Sequence, residues 1–352
     1  MTAGPTPPTP PVAADAGAGL SFGDRLQPLL LVGAIGMGLV VAELRPALGE
    51  SLGWVVPTGV FALIYLVMLR LSAGAVAEAL TRRRFLGIAV GLNFVVNPLL
   101  AWVLGALMLA DQPDLRVGLI LFLVTPCIGW YLIFTELAGG HLGLGISLLG
   151  INTVLQVLLL PLYLWAFTGR AAGVDVAGVA ESIALFLVAP AVAAGVTRRL
   201  MARNGDAARV VGARAGLVKS FALVAVIVAM FASEGRELLD NPDVVARVVP
   251  AMIVFFGLAF VIALVAGAVA RLPHDETALL VFTTASRNSE ASLAIAATAF
   301  ASPLVGLTVL IGPVIELPLL VVMVRVLNGV ARRRVPSADP DPESTHREVS
   351  TP

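Results

Sequence analysis

Ten apolar stretches recur along the chain, each roughly 17 to 25 residues long, the length that a helix needs to cross about 30 Å of hydrocarbon. They fall at residues 28–42, 54–71, 85–109, 117–136, 142–167, 177–196, 215–232, 244–270, 276–300 and 303–327. Hydrophobic residues make up 58% of the chain and the mean hydropathy is +0.95, values too apolar for a soluble globular domain. We therefore expect an all-α polytopic membrane protein with ten transmembrane helices.

Basic residues are concentrated in the connections on one side of these stretches. Seventeen of the 23 basic residues fall there, including the run from Arg82 to Arg84, and five fall on the other side. Because basic loops stay in the cytoplasm, this asymmetry places both termini on the cytoplasmic face of the plasma membrane. The two ends of the chain, 1–23 and 331–352, lack long apolar segments, and we expect disordered tails there.

The stretches repeat along the chain at a constant spacing. A shift of 160 residues lays stretches two to five on stretches seven to ten, as a duplicated five-helix unit would. The sequence therefore predicts one repeat over residues 24–168 and a second over 169–330. Five is an odd number, so the second repeat must enter the membrane from the opposite side, which is the inverted architecture of many secondary transporters.

Polar, helix-breaking clusters interrupt two stretches at about mid-membrane depth. They are Thr125-Pro126-Cys127 in the fourth stretch and Ser286 to Glu290 in the ninth. Pro126 removes a backbone donor, and lipid offers no partner to the groups that a break sets free. We therefore predict helix breaks at Pro126 and Ser286. A matched pair of breaks in the two halves of a transporter points to its binding site.

Cys127 is the only cysteine of the chain, so neither an intramolecular disulfide nor a multi-cysteine metal cluster can form. A thiol in a helix break is a natural ligand for a soft, thiophilic solute. The alternative is that Cys127 is a small buried hydrophobe. Both interpretations remain open at the level of the sequence.

The ninth stretch contains two ionisable residues, Arg287 and Glu290, at a depth where a charge is costly. Partial desolvation would raise the proton affinity of Glu290, as a carrier that alternates between protonated and ionised states requires. The alternative is that Arg287 and Glu290, three residues apart on one helical face, pair with each other and hold the span in place.

Further polar residues lie at similar depth. Glu316 and its repeat counterpart Gln156 either bind a proton or cation or support the broken helices. Amide side chains add oxygens that either line the same cavity or join helices to one another; they are Asn93, Asn97, Asn152 and Asn288.

Four short motifs together resemble a known family. They are NFVVNPLL at Asn93–Leu100, Pro126-Cys127, Asn288-Ser289-Glu290 and Glu316-Leu317-Pro318. On these residues and Asn152, the chain resembles the bile acid:sodium symporter superfamily, and more closely its arsenical-resistance permease branch, which exports arsenite.

The resemblance implies that the helices of stretches four and nine cross. It also implies a core of stretches three to five and eight to ten beside a panel of one, two, six and seven. It ties Cys127 and Glu290 to arsenite transport. Two features depart from the permeases, the bulky pair Trp130-Tyr131 after the cysteine and the cation Arg287.

Two functions follow for a secondary active transporter with alternating access. The first is efflux of arsenite or antimonite in exchange for protons. The second is sodium-coupled symport of an organic anion, in which Arg287 attracts the anion. In either case Cys127 and Glu290 are the positions where As(III) or Na⁺ would bind transiently.

The expected substrate-binding residues are Thr125, Cys127, Arg287, Asn288 and Ser289. The expected coupling residues are Asn152, Gln156, Glu290 and Glu316. The partners expected are the solute and the bilayer, with no nucleic acid or obligate protein partner. We expect no enzymatic activity, no resident metal and no cofactor besides the coupling ion, H⁺ or Na⁺, because the three histidines fall in loops or the tail and form no metalloprotease motif.

Overall fold

A computed structural model of the chain describes residues 22–69, 81–127, 130–168, 181, 184–201 and 205–334. Within these ranges the secondary structure is helical, apart from one isolated β-bridge. The α-helices are α1 Phe22–Leu44, α2 Pro46–Ser51, α3 Val55–Leu69, α4 Arg83–Gly91, α5 Asn97–Met108, α6 Pro113–Leu123, α7 Trp130–Leu137, α8 Leu142–Thr168, α9 Ala189–Met201, α10 Gly205–Asp240, α11 Pro242–Val269, α12 His274–Ala285, α13 Ser289–Ala299 and α14 Pro303–Arg334.

Four helical segments of the described ranges are long and apolar enough to cross a membrane: Arg83–Met108, Leu142–Phe167, Pro242–Val269 and Pro303–Val330. They correspond to predicted stretches three, five, eight and ten. The full count of ten, the inverted repeat and its boundaries stay predictions. The outer parts of both tails lie outside the described residues, but α1 begins at Phe22 and α14 continues to Arg334, so helix extends a few residues into each predicted tail.

A π-helical turn, Leu92–Val96, joins α4 to α5 just before Pro98. Because Pro98 has no N–H, the carbonyl oxygen four residues earlier, on Phe94, lacks its helical donor. The hydroxyl of Tyr163 on α8 donates to that oxygen at 2.5 Å. The carbonyl oxygen that Pro98 leaves without its donor thus attaches α8 to the π-helical turn.

Both predicted interruptions separate helices. The first lies between α6 and α7, where Pro126 cannot continue the hydrogen-bond ladder. The second lies between α12 and α13 and contains neither proline nor glycine. There Ser286 is extended, and the side chain of Asn288 accepts the N–H of Ala291 at 3.1 Å, which makes Asn288 the N-cap of α13.

The helices form two packed groups. In the panel, α1, α2 and α3 pack against α10, and α3 also packs against α9. In the core, α14 packs against α6, α11 and α13, and α12 packs against α7 and α11. The panel meets the core where α13 touches α3 and where α14 touches α1 and α10. The half-helix that follows the second break therefore lies at the boundary between the two groups.

Candidate functional site

The two helix breaks lie in contact, and backbone groups of each hydrogen-bond to backbone groups of the other. The N–H of Cys127 donates to the carbonyl oxygen of Ser286 at 3.1 Å, and the N–H of Asn288 donates to that of Thr125 at 2.9 Å. This pair of bonds is a short antiparallel bridge in which Pro126 lies opposite Arg287. Backbone groups that a break would leave without partners in lipid are thereby paired inside the protein.

Thr125 adds a side-chain link to the bridge. Its hydroxyl donates to the carbonyl oxygen of Phe122 at 2.8 Å and lies 2.6 Å from the hydroxyl of Ser292 on α13. Thr125 and Ser292 are both completely buried. The C-terminal end of α6 is therefore fixed to α13 as well as to the backbone of the second break.

Cys127 lies within the bridge and is 1% exposed. Tyr131, one of the two bulky residues after it, is buried and donates its hydroxyl to the carbonyl oxygen of Gly145 at 2.5 Å. That bond attaches α7 to α8 one turn beyond the cysteine. The only thiol of the chain is consequently enclosed where the two broken helices cross.

Arg287 is almost completely buried, with 1% of its surface exposed. Its guanidinium donates from Nη1 to the carbonyl oxygen of Leu123 at 2.8 Å, and from Nη2 to the carbonyl oxygen of Thr284 and the amide oxygen of Asn93. The guanidinium also lies over the ring of Phe255, 5.5 Å from its centroid. Its donors therefore point at helix-end carbonyls.

The predicted common helical face of Arg287 and Glu290 is wrong, while their pairing stays an alternative. The prediction placed Arg287 and Glu290 three apart on one helical face, but α12 ends at Ala285 and Arg287 lies in the bridge. Glu290 is the second residue of α13, and its side chain lies outside the described part of the chain. The acidic group that the structure does place beside Arg287 is Glu316, whose Oε1 accepts the backbone N–H of Arg287 at 2.9 Å.

A buried polar cluster adjoins the guanidinium. Thr283 on α12 accepts the side-chain amides of Asn93 at 3.4 Å and Asn152 at 3.2 Å. The amide of Asn97 donates to the carbonyl oxygen of Thr284 at 2.9 Å. The predicted coupling residue Asn152 is thereby joined to α12 and, through Asn93, to Arg287.

Several buried polar atoms near this cluster have no hydrogen-bond partner among the described residues. They include the amide oxygens of Asn97 and Asn152 and both polar atoms of the Gln156 side chain. A buried polar group without a partner is costly, and native proteins usually supply it with water or a ligand. These atoms are available to hydrogen-bond a solute or an ion.

A small cavity separates the bridge from the panel. Ile227 and Met230 of α10 line one side, and Arg287, Ser289 and Glu316 belong to the other. Its volume is about 10 Å³, room for about one water molecule. Three residues predicted from sequence, Arg287, Ser289 and Glu316, thus border a space between panel and core.

Four residues of the site gave little signal in the sequence. Thr283, Thr284 and Ser292 each carry only a hydroxyl and lie in a span that is otherwise largely apolar, and Phe255 is an ordinary hydrophobic residue of α11. Only the bonds described above assign them to the crossing.

The sequence model described as the Sodium Bile acid symporter family matches residues 57–241, more than half of the chain. The chain belongs to the Sodium Bile acid symporter family. The matched residues include the first break, at Pro126, and stop before the second. Membership of the Sodium Bile acid symporter family, together with the apolar helices, makes the chain a multi-pass membrane transporter.

Curated relatives cover nearly the whole chain. It is 26% identical to the arsenical-resistance protein Acr3 of Corynebacterium glutamicum, over 95% of this chain and 96% of the relative. It is 22% identical to the arsenical-resistance protein Acr3 of Alkaliphilus metalliredigens, over 89% and 94%. It is also 27% identical to the uncharacterized protein YbaS of Bacillus subtilis, over 81% and 91%. Within the Sodium Bile acid symporter family, the chain is thus similar to two arsenical-resistance proteins.

Proposed function

We propose that the chain is a secondary active transporter that exports arsenite or antimonite from the cell in exchange for protons. The observation that carries the proposal is the position of Cys127, the single thiol of the sequence, at the crossing of two broken helices. The similarity to two arsenical-resistance proteins over most of the chain supports it.

The chemistry of trivalent arsenic suits such a site. Arsenite at neutral pH is the uncharged trihydroxide, and thiols are ligands that soft metal ions and metalloids prefer. Exchange of one hydroxide for the Cys127 sulfur forms one As–S bond, and the thiol proton leaves with that hydroxide as water. A single sulfur holds arsenic by one bond of three, which permits release on the far side of the membrane.

Neighbouring groups complete the site in this proposal. Thr125, Asn288 and Ser289 lie in or next to the bridge and supply hydrogen bonds to the remaining arsenic hydroxyls. Glu290, in the first turn of α13, takes up and releases the exchanged proton. Glu316, Asn152 and Gln156 hold the surrounding polar network.

Alternating access requires one part of the molecule to move against another. The panel and the core offer such parts, because the small cavity beside Ser289 lies between α10 of the panel and α14 of the core. We propose that the core rocks against the panel at this boundary and exposes the crossing to each side in turn.

The test is a survival assay in a bacterial strain that lacks arsenite exporters. Expression of the wild type should raise arsenite tolerance, and Cys127→Ser should abolish the gain while the protein still accumulates in the membrane. The matched control adds a thiol elsewhere: Leu107→Cys in the Cys127→Ser background places it on an exposed face of α5 and should not restore tolerance. Undiminished tolerance with Cys127→Ser would remove the thiol from the mechanism.

Uptake of arsenite into everted membrane vesicles separates transport from other routes to tolerance. Wild-type vesicles energised by a proton gradient should accumulate arsenite, and vesicles with Cys127→Ser should not. Replacement of sodium by choline should leave the wild-type rate unchanged. A strict requirement for sodium would contradict proton exchange and favour the symport alternative.

A further inference from the structure

The guanidinium of Arg287 occupies the point where the ends of two half-helices converge. Leu123 is the last residue of α6 and Thr284 is the penultimate residue of α12. Carbonyl groups in the last turn of a helix have no helical donor and carry the negative end of its dipole. Both carbonyls accept from Arg287.

A third oxygen comes from a separate element. The amide oxygen of Asn93, in the π-helical turn before α5, lies 3.4 Å from Nη2 of Arg287. The face of the Phe255 ring, which attracts cations, covers the guanidinium from α11. The chain thus provides oxygens from three helical segments and an aromatic face around one positive charge.

Such a set of oxygens has the composition of a binding site for a small monovalent cation. Hard cations take carbonyl and amide oxygens as ligands, and in secondary transporters the carbonyl ends of broken helices coordinate the coupling ion. Here the positive charge belongs to a side chain of the protein itself. Since Arg287 is 1% exposed, an ion from solution has no access to these oxygens while the side chain is in place.

We propose that Arg287 is a built-in cation that permanently fills a monovalent cation site. The chain then needs no bound sodium to keep the crossing of the broken helices together. Removal of the side chain should open the site to a free cation. The proposal concerns the crossing itself and holds whichever solute the transporter carries.

The same geometry argues against a direct role of Arg287 in anion binding. Nη1 and Nη2 donate to protein oxygens, and Nε, which has no partner among the described residues, is buried. The adjacent Glu316 carboxylate, which accepts the Arg287 N–H, already supplies a negative charge. An anionic solute would have to displace both helix-end carbonyls from the guanidinium.

The first test measures sodium binding to purified protein in detergent, with radioactive sodium as the probe. Wild type should bind none above background. Arg287→Ala should bind one sodium ion per protein saturably, and its thermal unfolding midpoint should rise with sodium chloride but not with choline chloride at equal ionic strength. Arg287→Lys keeps a positive charge at the site and should behave as wild type.

Two results would overturn the proposal. One is saturable sodium binding by the wild type with Arg287 in place. The other is a folded Arg287→Ala protein whose unfolding midpoint responds to none of lithium, sodium and potassium.

A second measurement applies where Arg287→Ala does not survive extraction in choline chloride. The variant is then extracted in sodium chloride, or with guanidinium ion at a low, non-denaturing concentration that replaces the lost side chain. Recovery of monodisperse protein in either medium, and not in choline chloride, is the expected result. Failure of both ions to recover the variant contradicts a cation site at this position.

Discussion

The N–H of Asn288 donates to the carbonyl oxygen of Thr125 at 2.9 Å, so a backbone group at one helix break finds its hydrogen-bond partner at the other break. The reciprocal bond, from the N–H of Cys127 to the carbonyl oxygen of Ser286, makes the arrangement mutual. The stability of each break therefore depends on the other. Substitutions at the crossing should act on both helices at once.

Thr125→Val should destabilise the protein. The change removes the hydroxyl that lies 2.6 Å from that of Ser292 on α13 and leaves the buried Ser292 hydroxyl with a long, 3.4 Å bond to the carbonyl oxygen of Leu121, at a cost of about 1 to 3 kcal/mol. The measurement is the thermal unfolding midpoint in detergent. Thr58→Val is the matched control. The Thr58 hydroxyl also donates to a carbonyl oxygen of its own helix, that of Trp54, but Thr58 is exposed, and loss of this bond should change the midpoint little. Equal effects of the two changes would contradict a special role for Thr125.

Gly118→Ala should separate α6 from α14. A Cβ at residue 118 would lie 2.6 Å from Cβ of Thr308 and 2.7 Å from the carbonyl oxygen of Val305. Since backbone cannot yield locally, we expect a loss of about 1 to 3 kcal/mol and slower transport. Gly257→Ala, on α11, meets nothing within 4 Å and should leave the unfolding midpoint unchanged or slightly higher. A Gly118→Ala protein as stable as Gly257→Ala would show that the contact is not tight.

Glu290→Gln should impair transport, whereas Glu316→Gln should impair stability. In the proposed exchange, Glu290 carries the proton, so Glu290→Gln should fold normally and lose the response of arsenite uptake to a pH gradient. Glu316 is buried and its carboxylate accepts the backbone N–H of Arg287, and a hydrogen bond to a charged group is worth about 1.5 to 3 kcal/mol. Glu316→Gln should therefore lower the unfolding midpoint. Transport by Glu290→Gln that still follows the pH gradient would exclude Glu290 as the coupling residue.

The Asp111–Arg247 ion pair should make a small, pH-dependent contribution to stability. Backbone hydrogen bonding and the Arg247 guanidinium, 2.9 Å away, lower the pKa of Asp111 below its ordinary value of 3.8. For an acid whose pKa is lowered by folding, the stabilisation is present above the ordinary pKa and is lost as the pH falls through the lower folded value. Because both side chains are exposed, Asp111→Asn should leave transport and the unfolding midpoint nearly unchanged at neutral pH. A large loss at neutral pH would contradict this.

The helix breaks could be predicted because each has a local cause. Pro126 lacks a donor, and a run of five polar residues ending at Glu290 cannot face lipid as a continuous apolar helix. The partners across the crossing could not be predicted in the same way. The acceptors of Arg287 include the carbonyl oxygens of Leu123 and Thr284, and a backbone carbonyl is the same at every residue type, so it leaves no trace in the sequence.

The expectation that Arg287 and Glu290 share one helical face was wrong for a related reason. The spacing rule assumes a continuous helix, whereas capping by Asn288 starts α13 only after Arg287. The hydrogen bond from the Tyr163 hydroxyl to the Phe94 carbonyl oxygen could not be predicted either. It exists because Pro98 supplies no donor to that oxygen and because the fold brings together two residues 69 positions apart. The residues at each break predict its position, whereas the hydrogen-bond partners of the break depend on tertiary packing.

Replacing Pro126 by a good helix former would ordinarily count as a repair. In this protein, a continuous first helix would use the N–H of Cys127 and the carbonyl oxygen of Thr125 in its own hydrogen bonds. The carbonyl oxygen of Ser286 and the N–H of Asn288 would then lose their partners in the low-dielectric interior. Restoring continuity to one helix would thus destabilise the other. Rescue of such a variant would demand a compensating change some 160 residues downstream.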